Sequence, residues 1–104
     1  MSETPVLKEL KPLAGAPDLL YTGPASGAGG TVFCMNLGQD TDQISVALLQ
    51  NGDTLGNQSW ICNNTYLYPG HSLYLQQIYI GSDDEIWVSS SLGTTNFIFT
   101  GHEF

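Results

Sequence analysis

From residue 31 onward the chain is broken every few residues by turn chemistry, and this spacing leaves no room for a helix. Six runs of 5–10 residues lie between the breaks: "TVFCMNL" (31–37), "ISVALLQ" (44–50), "QSWIC" (58–62), "HSLYLQQIYI" (71–80), "EIWVSSS" (85–91) and "NFIFTGHE" (96–103). The breaks are "GQDTDQ", "NGDTLGN", "NNTYLYPG", "GSDD" and "LGTT", rich in the Gly, Asn, Asp and Pro that favour turns. β-branched and aromatic residues fill the runs, and several alternate with period two: Ile44, Val46 and Leu48 share one face. In 71–80, Leu73 and Leu75 fall on one face and Tyr74, Ile78 and Ile80 on the other, a loss of phase that predicts a bulge near Gln76 and Gln77. Short connections predict antiparallel neighbours. The reading is an all-β antiparallel β-sandwich, jelly-roll-like or immunoglobulin-like, of about six to eight strands.

The first thirty residues are different in kind. They hold four of the five prolines and end in "GPASGAGG". Pro5 and Pro12 bracket "VLKEL", so no helix of useful length is expected there. Residues 1–18 read as an extended N-terminal arm and 19–104 as a single sandwich domain. Val6, Leu7, Leu10, Leu13, Leu19 and Leu20 make this region too apolar for a solvated tail. They are the candidate assembly residues, packing on the domain or on a neighbouring subunit.

Charge narrows the function classes. Only 12% of the 104 residues are charged, the formal net charge is −8, and Lys8 and Lys11 are the sole Lys or Arg. Binding to nucleic acid, or to an anionic membrane surface, needs cations that this chain lacks. No apolar run approaches membrane-spanning length, and "MSETPVLKEL" has no apolar signal core, which predicts synthesis in a cytosol. A neutral polar surface rich in Asn, Ser, Thr, Gln and Gly suits close packing in an assembly, because few charges need desolvating.

Catalytic or metal chemistry finds little to stand on. Asp83, Asp84 and Glu85 are adjacent, but successive strand residues point apart, and the alternating ligands and distal Glu of a calcium loop are missing. They are read as a hairpin turn between 73–80 and 85–91. His71 and His102 each follow Gly at a strand end, and no nucleophile elbow or phosphate loop accompanies them. Cys34 and Cys62 are read as small buried residues, with a disulfide open to them if their strands are neighbours. No catalytic residue, metal or cofactor is expected. The aromatics offer more. Trp60, Tyr66, Tyr68, Tyr79 and Trp87 combine apolar area with a polar handle, which suits subunit contacts or stacking on sugars.

The order of segments carries a resemblance. "LLYTGPASGAGGTVFCMNLG", then "ISVALLQNGDTL", then the stretch from "SWICNN" to "FIFTGHE" is similar to a family of small proteins encoded among tailed-bacteriophage structural genes. The matching residues include Leu20-Tyr21-Thr22, Pro24-Ala25, Gly70, Asp84, Ser89-Ser90, Asn96, Phe99, Gly101 and Glu103, within about residues 19–103. "MNLG" (35–38) departs from the family, which usually has Asn-Arg there. The resemblance implies a non-enzymatic β-sandwich of the virion. The expectation is a homo-oligomer, a trimer, decorating the capsid as a cement protein and contacting major capsid or tail proteins. A tail-fibre or appendage subunit that binds a host-surface glycan is the alternative, and a monomeric carbohydrate-binding module is the alternative of a different class.

Overall fold

The computed structural model describes residues 4–56 and 59–104; the start of the "QSWIC" run and the first three residues of the expected arm lie outside the described residues. Eight strands follow one another: β1 (Thr4–Leu10), β2 (Asp18–Thr22), β3 (Ala28–Asn36), β4 (Asp42–Leu49), β5 (Trp60–Leu67), β6 (Ser72–Ile80), β7 (Glu85–Ser90) and β8 (Thr95–Glu103). They form two four-stranded sheets, ordered β1-β8-β3-β6 and β2-β7-β4-β5, with antiparallel pairing throughout. This is the jelly-roll order, two interleaved Greek keys. The immunoglobulin arrangement, which pairs its consecutive strands differently, is thereby excluded.

Only one pair of consecutive strands, β4 and β5, is hydrogen-bonded. Every other connection crosses from one sheet to the other. The "GSDDE" turn is therefore not a hairpin: β6 and β7 belong to different sheets, and the turn bridges them at the end of the sandwich. Asp83 takes the left-handed position of this turn, at φ 61. Asp84 closes it, its Oδ2 accepting from Gly81 N at 2.8 Å and its Oδ1 from Asn51 N at 2.9 Å.

The core lies between the sheets, where Val32, Ile44, Val46, Ile86, Val88, Phe97 and Phe99 are fully buried. Tyr21 joins it, its ring centroid 4.8 Å from that of Phe99. Its hydroxyl donates to Glu103 Oε2 at 2.5 Å, linking the two sheets. Burial, and then the hydrogen bond and charge of Glu103, push its ionisation well above the ordinary tyrosine range. A bulge does sit at Gln76–Gln77: Gly30 pairs with Ile78 and Val32 with Leu75, leaving two residues opposite Thr31, with Gln77 at φ 60. The extra residue corrects the phase. Leu73 and Leu75 pack on the core together with Ile78 and Ile80, and Tyr74 alone of that set faces out.

The expected arm is corrected by β1, which pairs with β8 along its whole length from Thr4↔Glu103 to Leu10↔Phe97. Pro5 and Pro12 bar only a helix in the sequence reading; Pro5 fits a strand here because an edge strand has only one neighbour and tolerates a missing N–H. Val6 and Leu10 pack against the core from this edge, Leu7 faces solvent, and Leu19 is half-exposed. Leu20 is a core residue: a register shift between Leu19 and Tyr21 lets Leu20 and Tyr21 both turn inward. Cys34 and Cys62 are free buried thiols on opposite sheets, as small apolar residues would be. Burial, and then the neighbouring Cys62, push the Cys34 thiol up to about 12, so it is protonated and unreactive at neutral pH.

Candidate functional site

Strand directions give the sandwich two unlike ends. One end carries the connections 23–27, 50–56 and 81–84, and with them Asp53, Asp83 and Asp84. The other carries 11–17, 37–41, 68–71 and 91–94. Each of these four loops lifts one large apolar side chain into solvent: Leu13 is 82% exposed, Leu37 61%, Tyr68 58% and Leu92 46%.

These loops are held from beneath by a buried polar network. Asn36 is fully buried, and its amide uses every hydrogen-bonding direction. Its Nδ2 donates to Asp40 O at 2.8 Å and Leu67 O at 2.9 Å, while its Oδ1 accepts from Gly38 N and Thr94 Oγ1, both at 2.9 Å. Asp42, also fully buried, accepts from Gln43 N and Leu92 N at 2.9 Å, from Thr95 Oγ1 at 2.7 Å, and from Ser90 Oγ. Burial pushes the Asp42 carboxyl up, but the hydrogen bonds from Ser90, Thr95, Leu92 and Gln43 outweigh it and hold the group below its ordinary value. Backbone bonds complete the lacing: Gly15 N donates to Ser90 O at 2.9 Å, Leu37 N to Thr94 O at 2.9 Å, and Gly70 N to Asn36 O at 2.9 Å. Among the described residues, no buried side-chain nitrogen or oxygen lacks a partner. The result is an apolar tip on loops that cannot easily move.

The five aromatics singled out by the sequence do not form one site. Trp87 and Trp60 flank Ala47 in register on the outer face of the β2-β7-β4-β5 sheet, with Leu19 next in the row. Both indoles are half-buried, Ala47 is fully buried, and Trp87 Nε1 donates to Glu85 Oε1 at 3.0 Å. These tryptophans cover their own sheet. Tyr66 projects from the same face, and Tyr68 lies at the apolar tip, its ring 5.8 Å from that of His71. Tyr79 stands alone on the opposite sheet, at the acidic end, 70% exposed beside Phe104.

Tyr79 also borders an open cleft of about 690 Å³, lined by Leu48, Leu49, Asp53, Ile80 and Asp84 among others. Both Asp84 oxygens accept from backbone N–H groups, and among the described residues Asp53 is the cleft's carboxylate without a hydrogen-bond partner. Among the described residues, no three His, Cys, Asp or Glu gather in a way that could hold a metal ion. The sequence reading overlooked Leu37, Leu92 and Phe104 as surface features, and Asn36 and Asp42 as the residues that fix the tip. The usable signal was parity: Asp42 shares the inward phase of Ile44 and Val46. No protein-family model, no curated protein and no solved structure matches this chain.

Proposed function

We propose that this chain is a non-enzymatic structural protein of a tailed-bacteriophage virion. In this reading it is a capsid decoration protein that forms a homo-oligomer, a trimer, on the particle surface, its subunits docking on one another through the apolar tip. One observation carries the docking surface: four loops present Leu13, Leu37, Tyr68 and Leu92 to solvent above a network that fixes them. Exposed apolar groups on prearranged loops lose little further freedom on binding, so more of their burial appears as affinity. Burying each leucine contributes about 1.5–3 kcal/mol. Few charges accompany them, since Lys11, Asp18, Asp40 and His71 are the exposed Lys, Asp or His side chains of these loops and the strand starting beside them. Leu37 stands in "MNLG", where the resembled family usually has Arg, so the departure itself adds apolar area to the tip. The sequence resemblance over residues 19–103 supplies the virion setting.

Light scattering tests the assembly. Deletion of the first eighteen residues is a poor probe, because it removes β1 and bares the β8 edge. The informative variant is Leu13→Ser, Leu37→Ser and Leu92→Ser together. The native chain is expected to run as an oligomer and the triple variant as a monomer with an unchanged melting temperature. Immunogold labelling of purified particles tests the setting. A monomeric native chain would remove the homo-oligomer, and unlabelled particles would remove the virion.

The tail-appendage alternative is favoured by a different feature, the Tyr79–Phe104 pair at the far end of the sandwich.

A further inference from the structure

The geometry points to a binding site for an uncharged oligosaccharide on the outer face of the β1-β8-β3-β6 sheet, centred on Tyr79 and Phe104. The two rings are nearly parallel and offset, with centroids 6.5 Å apart and planes 27° apart. They are 70% and 42% exposed, and neither belongs to the buried core cluster. Two large rings held side by side in water, at a cost in apolar exposure, need an explanation outside folding.

Their placement is built in. Gly29 lies beneath them: a Cβ there would come within 2.5 Å of the Tyr79 ring and 3.0 Å of the Phe104 ring. The absent side chain makes room for both rings over β3. Phe104 is tied down by its backbone, its N–H donating to Gly27 O at 3.0 Å. The bulge brings Gln77, at φ 60, to the rim of the same shallow depression, which has a volume of about 280 Å³ and is completed by Thr31 and His102. A left-handed non-glycine residue is a strained feature of the kind that gathers at ligand sites.

The lining selects the ligand chemistry. A flat aromatic shelf takes the C–H face of a sugar ring, and the hydroxyl, amide and imidazole at the rim match sugar hydroxyls, since each can donate or accept. Among the described residues, no Asp, Glu, Lys or Arg lines the depression. The chain has net charge −8 and no Lys or Arg after Lys11, which disfavours sialylated, uronic or phosphorylated sugars. The volume is near the lower limit of about 300 Å³ for small-molecule sites, room for a terminal sugar or two. Tyr79 also lines the cleft that holds Asp53, whose carboxylate can accept from hydroxyl groups. The site lies at the end opposite the apolar tip, so both surfaces are available at once, and it stands whether or not the chain is part of a virion.

The test is titration of the isotope-labelled full chain, followed by backbone amide shifts. The probes are maltohexaose, cellohexaose, mannohexaose, galactotetraose and N-acetylchitotetraose, with 3′-sialyllactose as the anionic counterpart. At least one neutral probe is expected to shift residues 29–31, 77–79 and 102–104, with sialyllactose leaving them in place. Tyr79→Ala should raise the Kd about tenfold or more, a change of about 1.4 kcal/mol. Tyr66→Ala, on the other sheet, should leave it unchanged. Gly29→Ala should weaken binding as the ring is displaced, read alongside a melting curve to confirm folding. The assignment is overturned if no probe shifts these amides at about 10 mM, well above a millimolar Kd. It is equally overturned if Tyr79→Ala binds like the native chain, or if the shifts fall on the Trp60–Trp87 face. Tyr79→Ala should keep the native oligomeric state, so the outcome is independent of docking through the tip.

Discussion

Replacing Asp42 by alanine is expected to destabilise the protein by about 3–5 kcal/mol, a fall in melting temperature of roughly 15–30 °C for a domain of this size. The carboxylate is fully buried and accepts from two backbone N–H groups and two hydroxyls. Its removal leaves those donors inside the protein with no acceptor, and a single unsatisfied buried group costs about 1–3 kcal/mol. It also unties the 91–94 loop from β4, so Leu92 at the tip becomes mobile. The pH dependence has a definite sign. The folded carboxyl titrates below its ordinary value, so the unfolded chain binds the proton more readily. The stability it supplies is complete above the unfolded pKa of about 3.9 and is lost as pH falls through the lower folded value. The gap in melting temperature between native protein and Asp42→Ala should therefore be widest near neutral pH and narrow below about pH 4. A gap that is small at pH 7, or that does not narrow in acid, would show that the network does not hold this end together.

What was legible in the sequence follows from what period two can report. Alternation gave the strands and, through the slip between Leu75 and Ile78, located a bulge to within a residue. It could also have found Asp42, two residues before Ile44 on the inward face, whereas Asp40 in the same "GQDTDQ" is exposed. Topology was not legible. A short loop can reverse onto a neighbouring strand about 4.8 Å away or cross to a sheet about 10 Å away, and the same Gly, Asn and Asp serve both. "GSDDE" looked like a hairpin for that reason and is a crossing. β1 was missed because Pro5 and Pro12 argue only against a helix, while an edge strand accommodates a proline. The candidate sites fared alike. Tyr79 stood out by type, but its shelf is assembled from Gly29 on β3, Tyr79 on β6 and Phe104 after β8, which only the strand order brings together.

That assembly makes Gly101→Ala the second large effect. Gly30 and Gly101 face one another across β3 and β8, next to the bulge that carries Gln77. A Cβ on Gly101 would sit 2.0 Å from Gly29 O, and one on Gly30 would sit 2.2 Å from Thr100 O. The obstacle is backbone in two inner strands, each paired on both sides, so no side-chain rotation relieves it. Relief requires parting β3 from β8, with loss of ladder hydrogen bonds at about 1 kcal/mol each on top of an overpacking cost of about 1–3 kcal/mol. The expected loss is about 3 kcal/mol or more, against a change within about 0.5 kcal/mol for Gly56→Ala, where the nearest atom is 3.9 Å away and φ is not positive. Denaturant unfolding of the three proteins checks this, and a Gly101→Ala midpoint equal to that of the native chain would sink it. The two variants also separate the ends of the molecule. Asp42→Ala loosens the apolar tip and should weaken oligomer formation while sparing sugar binding. Gly101→Ala moves the Gly29 backbone on which Tyr79 rests, so below its melting transition it should bind sugar less well and still assemble. Loss of both properties in either variant would mean that the tip and the shelf are not independent surfaces.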